Sequence, residues 1–132
     1  MPDVRPLEEG QCYKTDLWAA SNNVLREMLK LAKKKHQMVM RFRALLKRGA
    51  QSGFDNLPLN LFQHFDWQVY TFGDRQGSLL RSAGFFDDAQ EKQTFILMDF
   101  YEKHGQQYRD NERERVIKVA KIRDTDDWRY VR

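Results

Sequence analysis

Cysteine is almost absent from this chain, which holds a single one, Cys12, among its 132 residues. One cysteine cannot form an internal disulfide, so a small secreted scaffold stapled by disulfides is excluded. A lone cysteine is ordinarily a small, partly buried hydrophobe, and we interpret Cys12 in that way rather than as a reactive thiol.

Long apolar runs are also missing, and with them any candidate for a membrane-spanning helix. Residues 1–10 are polar and acidic, whereas a secretory signal needs a basic start followed by an apolar stretch. We therefore expect a cytoplasmic protein with no membrane partner. The three histidines and the single cysteine lack the spacing of metal ligands, and no glycine-rich phosphate loop is present. We expect no metal and no other cofactor.

Aromatic residues are plentiful, with three Trp, five Tyr and nine Phe in the chain. They supply core area that a disordered chain lacks, and 132 residues give room for one core. We predict a single domain over residues 1–132, with residues 1–9 as a loose N-terminal arm and residues 124–132 as a C-terminal tail.

Positive charge is concentrated in one segment, although the net charge of the chain is only +4. Between Leu29 and Ala50 the sequence has no carboxylate, while Lys and Arg recur throughout. Such a face is often only solvated, but this one has no acidic partner nearby in sequence, which favours RNA binding. The predicted RNA-binding cations are Lys33, Lys34, Lys35, Arg41, Lys47 and Arg48.

Two apolar stripes at helical spacing follow a capping residue at Ser21 or Asn22. The first covers positions 24, 25, 28, 29 and 32, and the second covers positions 39, 42, 45 and 46. Gly49 is the predicted end of the second helix. The lysines between the stripes predict two helices with a break near residues 34–37; one long bent helix is the alternative.

Three strand candidates come after a loop at residues 51–60: residues 67–72, 78–86 and 94–101. Short connections favour an antiparallel meander, and the most apolar segment, residues 94–101, is the predicted central strand. Residues 11–17 are a further strand or an extended entry. Asn111 with Glu114 predicts the start of a last helix that ends near Arg123. The expected fold is α+β, with two N-terminal helices packed on a small antiparallel sheet and a C-terminal helix.

Three motifs in this order resemble those of the RelE/ParE superfamily of bacterial and phage toxins. Residues 67–70 read Trp-Gln-Val-Tyr, where the family commonly has Trp-Glu-Leu-Arg, and residues 79–86 resemble its Tyr-Arg strand. Residues 95–108 resemble an apolar strand followed by Phe-x-Lys-Lys-x-x-Gln. Tyr70 thus stands where the family has an arginine, and Glu102 stands where it has one of two lysines.

The resemblance, which is closest to HigB-like and phage-derived RelE-type toxins, implies the RelE-like fold and a metal-independent mRNA endonuclease that acts on the ribosome. It would be the toxin of a type II toxin–antitoxin pair, with mRNA, the ribosome and a cognate antitoxin as partners. In that reaction the RNA 2′-hydroxyl attacks the adjacent phosphate, which requires a base for the hydroxyl, positive charge from the protein to stabilise the phosphorane, and an acid for the leaving oxygen.

The candidate site lies mainly at the end of the predicted central strand. Arg81 is the candidate for holding phosphate oxygens and Lys103 adds a point charge. His104 is the candidate acid or base, since histidine titrates near neutral pH, and His64 is a second candidate. Tyr108 would stack on a base or share in proton transfer, and Gln107 would orient the RNA.

Two other functions are compatible with the same fold. One is a non-catalytic module that binds nucleic acid or protein, which the missing basic residues favour. The other is a ParE-like inhibitor of DNA gyrase, whose relatives usually lack the histidine at the strand end. The sequence leaves the codon preference and the oligomeric state open.

Overall fold

The computed structural model describes residues 1–103 and 108–132, with the side chains of residues 108–110 left out. In chain order its strands are β1 (Asp3–Glu8), β2 (Asp16–Ala20), β3 (Phe62–Asp66), β4 (Val69–Phe72), β5 (Leu80–Phe86), β6 (Thr94–Glu102) and β7 (Arg129–Tyr130). The helices are α1 (Arg26–Ala32), α2 (His36–Ser52) and α3 (Tyr108–Asp124), with a π-helical turn at Ser21–Leu25 and a 3-10 turn at Phe54–Asn56.

The described strands form one seven-stranded mixed sheet in the order β3-β4-β5-β6-β2-β1-β7. From β3 to β6 the neighbours are antiparallel, as the predicted meander requires. Beyond β6 the pattern changes, because β2 is parallel to β6 and β7 is parallel to β1. The segment at residues 94–101 is therefore a central strand, as predicted.

The expected fold, two N-terminal helices on a small antiparallel RelE-like sheet, is wrong. Two strands precede the helices, and the sheet they extend is larger and mixed. The predicted loose arm at residues 1–9 is β1, whose Val4 is fully buried. Pro6 hid β1 in the sequence, and Ala19 and Ala20 hid all of β2 except its start in the predicted segment 11–17, since neither residue type favours strands.

The tail at residues 124–132 also packs onto the domain. Its strand β7 pairs with β1, and the ring of Trp128 lies 5.0 Å from the ring of Phe85 in an edge-to-face arrangement. Edge-to-face aromatic pairs are favourable beyond their buried area. The two chain ends are thus held together at one edge of the sheet.

The predicted break between the first two helices is confirmed at residues 33–35. The second helix runs past Gly49, its predicted end, to Ser52, and Gly53 stops it with a φ of 92°. Gly49 instead permits a close approach, because a Cβ there would lie 3.0 Å from side-chain atoms of both Leu57 and Phe54. A mid-helix glycine with such a packing role is easily mistaken for a cap.

The strand β3 is absent from the prediction, and the predicted strand at residues 67–72 begins only at Val69. Trp67 and Gln68 form the turn between β3 and β4, with φ values of 50° and 59°. Because β3 is an edge strand, polar side chains such as His64 and Asp66 are tolerated on it. They remove the apolar alternation by which a strand is recognised.

Two helices cover opposite faces of the sheet. On one face the ring of Phe42 in α2 lies 5.5 Å from Phe72 and 5.4 Å from Phe100. Successive side chains of a strand point to opposite faces, so Arg81 and Tyr101 point to the other face, which α3 covers. The helix α3 buries Val116, Val119 and Ala120.

Candidate nucleic-acid interface

A polar cluster lies between α3 and the adjoining ends of β5 and β6. Arg81 and Tyr101 are paired across the two strands, and Glu112 reaches them from α3. With Arg75 and Lys103 they form what we call the Tyr101 cluster. Three cations around one carboxylate carry a net positive charge, which the charge of Asp74 near Arg81 reduces.

Tyr101 and Glu112 form the centre of this cluster. The Tyr101 hydroxyl donates a hydrogen bond of 2.9 Å to Oε2 of Glu112, and Lys103 Nζ lies 3.5 Å from Oε1 of the same carboxylate. Tyr101 is 4% exposed and Glu112 7%. Burial, followed by the Glu112 charge, raises the pKa of the Tyr101 phenol, which keeps the hydroxyl protonated as a donor.

Arg81 is brought to the cluster as the sequence predicted, but its guanidinium serves the protein backbone. It is 6% exposed, and Nη1 donates to the carbonyl oxygens of Ser78 at 2.7 Å and Leu80 at 2.8 Å. Burial lowers the pKa of Arg81. Gly73 makes room for it, since a Cβ at Gly73 would lie 2.8 Å from Arg81 Cδ. Arg81 therefore fixes the β4–β5 connection.

Arg75, which the sequence did not single out, lies next to Arg81. Its Nη2 donates to Oγ1 of Thr71 at 2.6 Å, and Nη1 donates to the carbonyl oxygen of Gly73 at 3.3 Å. Burial, and then the charge of Arg81, lower the pKa of Arg75, while Glu112 acts in the opposite direction. Glu112 is thus the counter-charge for two neighbouring guanidinium groups.

A groove with a volume of about 570 Å³ opens beside the cluster, between α1, β6 and α3. We call it the basic groove. Its lining residues are Glu27, Lys30, Leu31, Lys33, Lys34, Phe100, Tyr101, Glu102 and Arg115. The groove shares Tyr101 with the Tyr101 cluster, so the groove and the cluster adjoin each other.

Arg115 connects the floor of the basic groove to α3. Its Nη1 donates to both carboxylate oxygens of Asp99, at 3.0 and 2.9 Å, and its guanidinium lies 5.1 Å from the Tyr101 ring centroid. Burial raises the pKa of Asp99, and the hydrogen bond and charge of Arg115 oppose that rise. The ion pair therefore holds Arg115 at a fixed place beside Tyr101.

The predicted RNA-binding cations fall into three groups. Lys33 and Lys34 line the basic groove, whereas Lys35 pairs with Glu102 at 2.8 Å and Arg41 with Asp74 at 3.1 Å. The remaining two, Lys47 and Arg48, are exposed on α2 and have no ion pair within the described part of the chain. Of the predicted RNA-binding cations, only those at the end of α1 line the same groove as Tyr101.

The predicted catalytic residues are only partly brought together. Lys103 and Arg81 belong to the Tyr101 cluster, but His64 does not. His64 lies on edge strand β3, exposed, with its ring 5.1 Å from that of Tyr70, on the face opposite Arg81. His104 and Gln107 lie outside the described residues, as does the side chain of Tyr108.

The sequence prediction missed Arg75, Tyr101, Glu112 and Arg115. Tyr101 stands in a strand whose apolar character was interpreted as core alone. A signal for Glu112 was present: it shares one face of α3 with Val116, Val119 and Ala120, at helical spacing. A carboxylate on an apolar helix face needs a buried partner, which indicates a hydroxyl or a cation on the opposing sheet.

Comparison with known proteins gives no assignment. No protein-family model matches the chain, and no curated protein or solved structure is similar enough to count as a match. Over the described residues, every helix is too short or too polar to cross a membrane. No group of His, Cys, Asp and Glu among those residues is suited to hold a metal ion.

Proposed function

We propose that this protein binds RNA in the basic groove and cleaves mRNA on the ribosome without a metal, as the toxin of a type II toxin–antitoxin pair. The observation that supports this most is the position of the groove. Its cations Lys30, Lys33, Lys34 and Arg115 meet the Tyr101 cluster at the end of β6, where the toxin-like motif continues into Lys103 and His104.

The groove is chemically suited to the RNA backbone. Lysine and arginine side chains neutralise phosphates and release counterions, which gives binding that depends on salt rather than on sequence. Three lysines line one side of the groove and Arg115 lines the other, so an RNA strand bound in the groove would have positive charge on both sides. Glu27 and Glu102 at its walls limit the net charge and favour one path for the phosphates.

In the proposed reaction the ribose 2′-oxygen forms a bond to phosphorus while the bond from phosphorus to the 5′-oxygen breaks. The products are a 2′,3′-cyclic phosphate and a free 5′-hydroxyl. His104 is the residue we assign to proton transfer, because histidine is the side chain that most often gives and takes protons near neutral pH. Lys103, held by Glu112, supplies positive charge for the phosphorane.

Arg81 takes a different part in this proposal from the one its sequence motif suggested. Its hydrogen bonds to Ser78 and Leu80 assign it to positioning, since they fix the loop that carries Arg75. Tyr101 and Glu112 are positioning residues as well. They hold Lys103 against α3 through the shared carboxylate.

The proposal is tested by adding the purified protein to a translating extract and mapping mRNA ends by primer extension. We expect new 5′-hydroxyl ends within the coding region, lost in Lys103→Ala and His104→Ala. Lys121→Ala is the matched control, because Lys121 is exposed at the far end of α3. Intact mRNA at every protein concentration would reject the nuclease.

A second candidate is a module that binds RNA without cutting it. The burial of Arg81 favours it, because this guanidinium is engaged with the backbone and is not presented to a phosphate. In that case a labelled RNA would bind, Lys33→Ala and Lys34→Ala would weaken it, and no cleavage products would form. Absence of both binding and cleavage would reject the two candidates together.

A further inference from the structure

A second groove, of about 450 Å³, lies between α1 and α2 on the side away from the cluster. We call it the α1–α2 groove. It extends from the helix connection as far as Leu25 on the first helix and Arg43 on the second. Its lining residues are Leu25, Met28, Leu29, Ala32, His36, Val39, Met40 and Arg43.

Two large apolar side chains in this groove face solvent. Leu29 is 67% exposed and Met40 is 49% exposed, although their neighbours Met28 and Val39 are core residues. Single exposed apolar residues are common on protein surfaces, but a pair on adjacent helices lining one groove forms a continuous patch. Methionine adapts its shape to a partner, so this patch is suited to receive an apolar helix face.

Cations rim the patch on the α2 side. Helical spacing places His36, Met40, Arg43 and Lys47 along one side of α2. Neither Arg43 nor Lys47 forms a salt bridge with any described residue, and Glu27 is the sole carboxylate on the two helices. Glu27 pairs with Lys30 at 3.7 Å, beside the basic groove. A partner segment that carries Asp or Glu would therefore complement this rim in charge.

We propose that the α1–α2 groove binds an amphipathic helix of a partner protein whose apolar stripe is flanked by Asp or Glu. Leu29 and Met40 would pack between apolar residues spaced i, i+3 or i+4 and i+7, and Arg43 and Lys47 would pair with the flanking carboxylates. A single-stranded RNA fits less well. Nucleic-acid sites stack bases on aromatic rings, and the described lining has no Phe, Tyr or Trp; its one aromatic ring is the imidazole of His36, at the helix connection.

This site is independent of the proposed nuclease. The basic groove uses the side of α1 that carries Lys30 and Lys34, whereas the α1–α2 groove uses the side that carries Leu25 and Leu29. A bound helix would therefore leave the path to the Tyr101 cluster open. Loss of the nuclease hypothesis would not change the prediction for the helix.

The test uses the full chain and three fluorescent probes, each measured by anisotropy. The first is an 18-residue helical peptide with a Leu stripe flanked by Glu, the second has Lys in place of each Glu, and the third is a single-stranded RNA of 12 nucleotides. We expect the Glu peptide to bind about tenfold more tightly than the Lys peptide, with the difference shrinking at high salt.

Variants then locate the binding. Leu29→Ser and Met40→Ser should each weaken the Glu peptide about tenfold, as central apolar contacts of an interface do. Arg43→Glu should reduce or reverse the preference for Glu over Lys. Leu59→Ser is the matched control, because Leu59 is 74% exposed in a loop outside the groove. All four variants change exposed side chains, and thermal melting confirms that each one folds.

The proposal is overturned if no peptide binds, if both peptides bind equally, or if Leu59→Ser weakens binding as much as Leu29→Ser. It is also overturned if the RNA binds and Leu29→Ser weakens the RNA instead of the peptide. If RNA binding is lost only in Lys33→Ala or Lys34→Ala, the RNA binds in the basic groove. If peptide binding also depends on Leu29, the two results together support two separate sites.

Discussion

The hydroxyl of Tyr101 donates a buried hydrogen bond of 2.9 Å to Glu112, and this contact joins the end of β6 to the first turns of α3. Glu112 also faces Lys103 and the charges of Arg75 and Arg81. One carboxylate thus organises the cations of the Tyr101 cluster. Its removal should disturb both the packing of α3 and the positions of these cations.

Replacing Tyr101 with phenylalanine removes the hydroxyl and leaves the buried Glu112 carboxylate with one donor fewer. We expect the free energy of unfolding to fall by about 1–3 kcal/mol, the usual cost of a buried polar group that loses its partner. Urea unfolding followed by circular dichroism measures the change. Glu114→Gln is the control, because Glu114 is exposed on the same helix, and an equal loss there would contradict the prediction.

The same phenol predicts how stability changes at alkaline pH. Burial raises the pKa of Tyr101 in the folded protein above its ordinary value. A group whose pKa is raised on folding contributes stability that is complete below the unfolded pKa, about 10 for tyrosine, and is lost as pH rises through the folded value. Stability should therefore decline above about pH 10.

Tyr101→Phe separates this effect from general alkaline unfolding. The variant lacks the titrating phenol, so the free-energy difference between the wild type and the variant should shrink as the pH rises from 8 to 11, where about 10 is the unfolded pKa. Urea midpoints at several pH values give that difference. A difference that stays constant over this range would mean that the phenol is accessible to hydroxide in the native state.

The helices and the strands β4, β5 and β6 could be predicted because their apolar residues recur with a clear period. Val39, Phe42 and Leu46 mark the buried face of α2, and all are core residues. The strand β1 was missed, and β2 (Asp16–Ala20) was placed too early, at residues 11–17, as a strand or an extended entry, for a physical reason. Their burial depends on pairing with β6 and with each other, which no local pattern around Pro6 or Ala19 reveals.

The candidate site divides in the same way. Motif position was enough to select Arg81 and Lys103, which do lie in one cluster. It did not show that the Arg81 guanidinium bonds to the backbone carbonyls of Ser78 and Leu80, because that depends on the course of the β4–β5 connection. Motif position also did not show on which face of the sheet His64 lies. That face is set by the turn at Trp67 and Gln68 in the β3–β4 hairpin, which was not predicted.

Gly84 provides a test of the sheet register. The pairing of β5 with β6 shifts between Ala83 and Gly84, and a Cβ at Gly84 would lie 2.2 Å from the carbonyl oxygen of Ile96. Since backbone atoms cannot move aside cheaply, Gly84→Ala should destabilise the protein by about 3 kcal/mol or more. Gly10→Ala is the control, because the nearest atom to a Cβ there is 3.9 Å away. Equal melting temperatures for the two variants would contradict the register.

The Asp99–Arg115 pair predicts a pH-dependent loss of stability. Arg115→Leu leaves the Asp99 carboxylate largely buried without its main hydrogen-bond partner, which should raise the pKa of Asp99 further. A carboxyl group whose pKa is raised on folding carries no penalty below its unfolded pKa, about 3.9, and an increasing one as the pH rises toward the folded value. The variant should lose about 2 kcal/mol at pH 7 and much less at pH 4.

Urea unfolding of the wild type and Arg115→Leu at both pH values tests whether the loss of stability is larger at pH 7 than at pH 4. The general loss of stability in acid affects both proteins and cancels in the difference between them. Asp124→Asn is a suitable control, because Asp124 is exposed at the end of α3. A difference that is as large at pH 4 as at pH 7 would show that the lost packing of Arg115, and not the unpaired Asp99 charge, dominates the effect.

The basic groove predicts how RNA binding depends on salt. If Lys33 and Lys34 each neutralise one phosphate of a single strand, every lysine removed should reduce the slope of log K against log salt by about 0.7. Lys33→Ala, Lys34→Ala and the double variant should therefore give slopes that fall stepwise, with binding weakened for all RNA sequences alike. Lys47→Ala is the matched control, since Lys47 is an exposed lysine on α2 that does not line the groove. An unchanged slope in the double variant, or the same fall in Lys47→Ala, would place the RNA elsewhere on the positive surface.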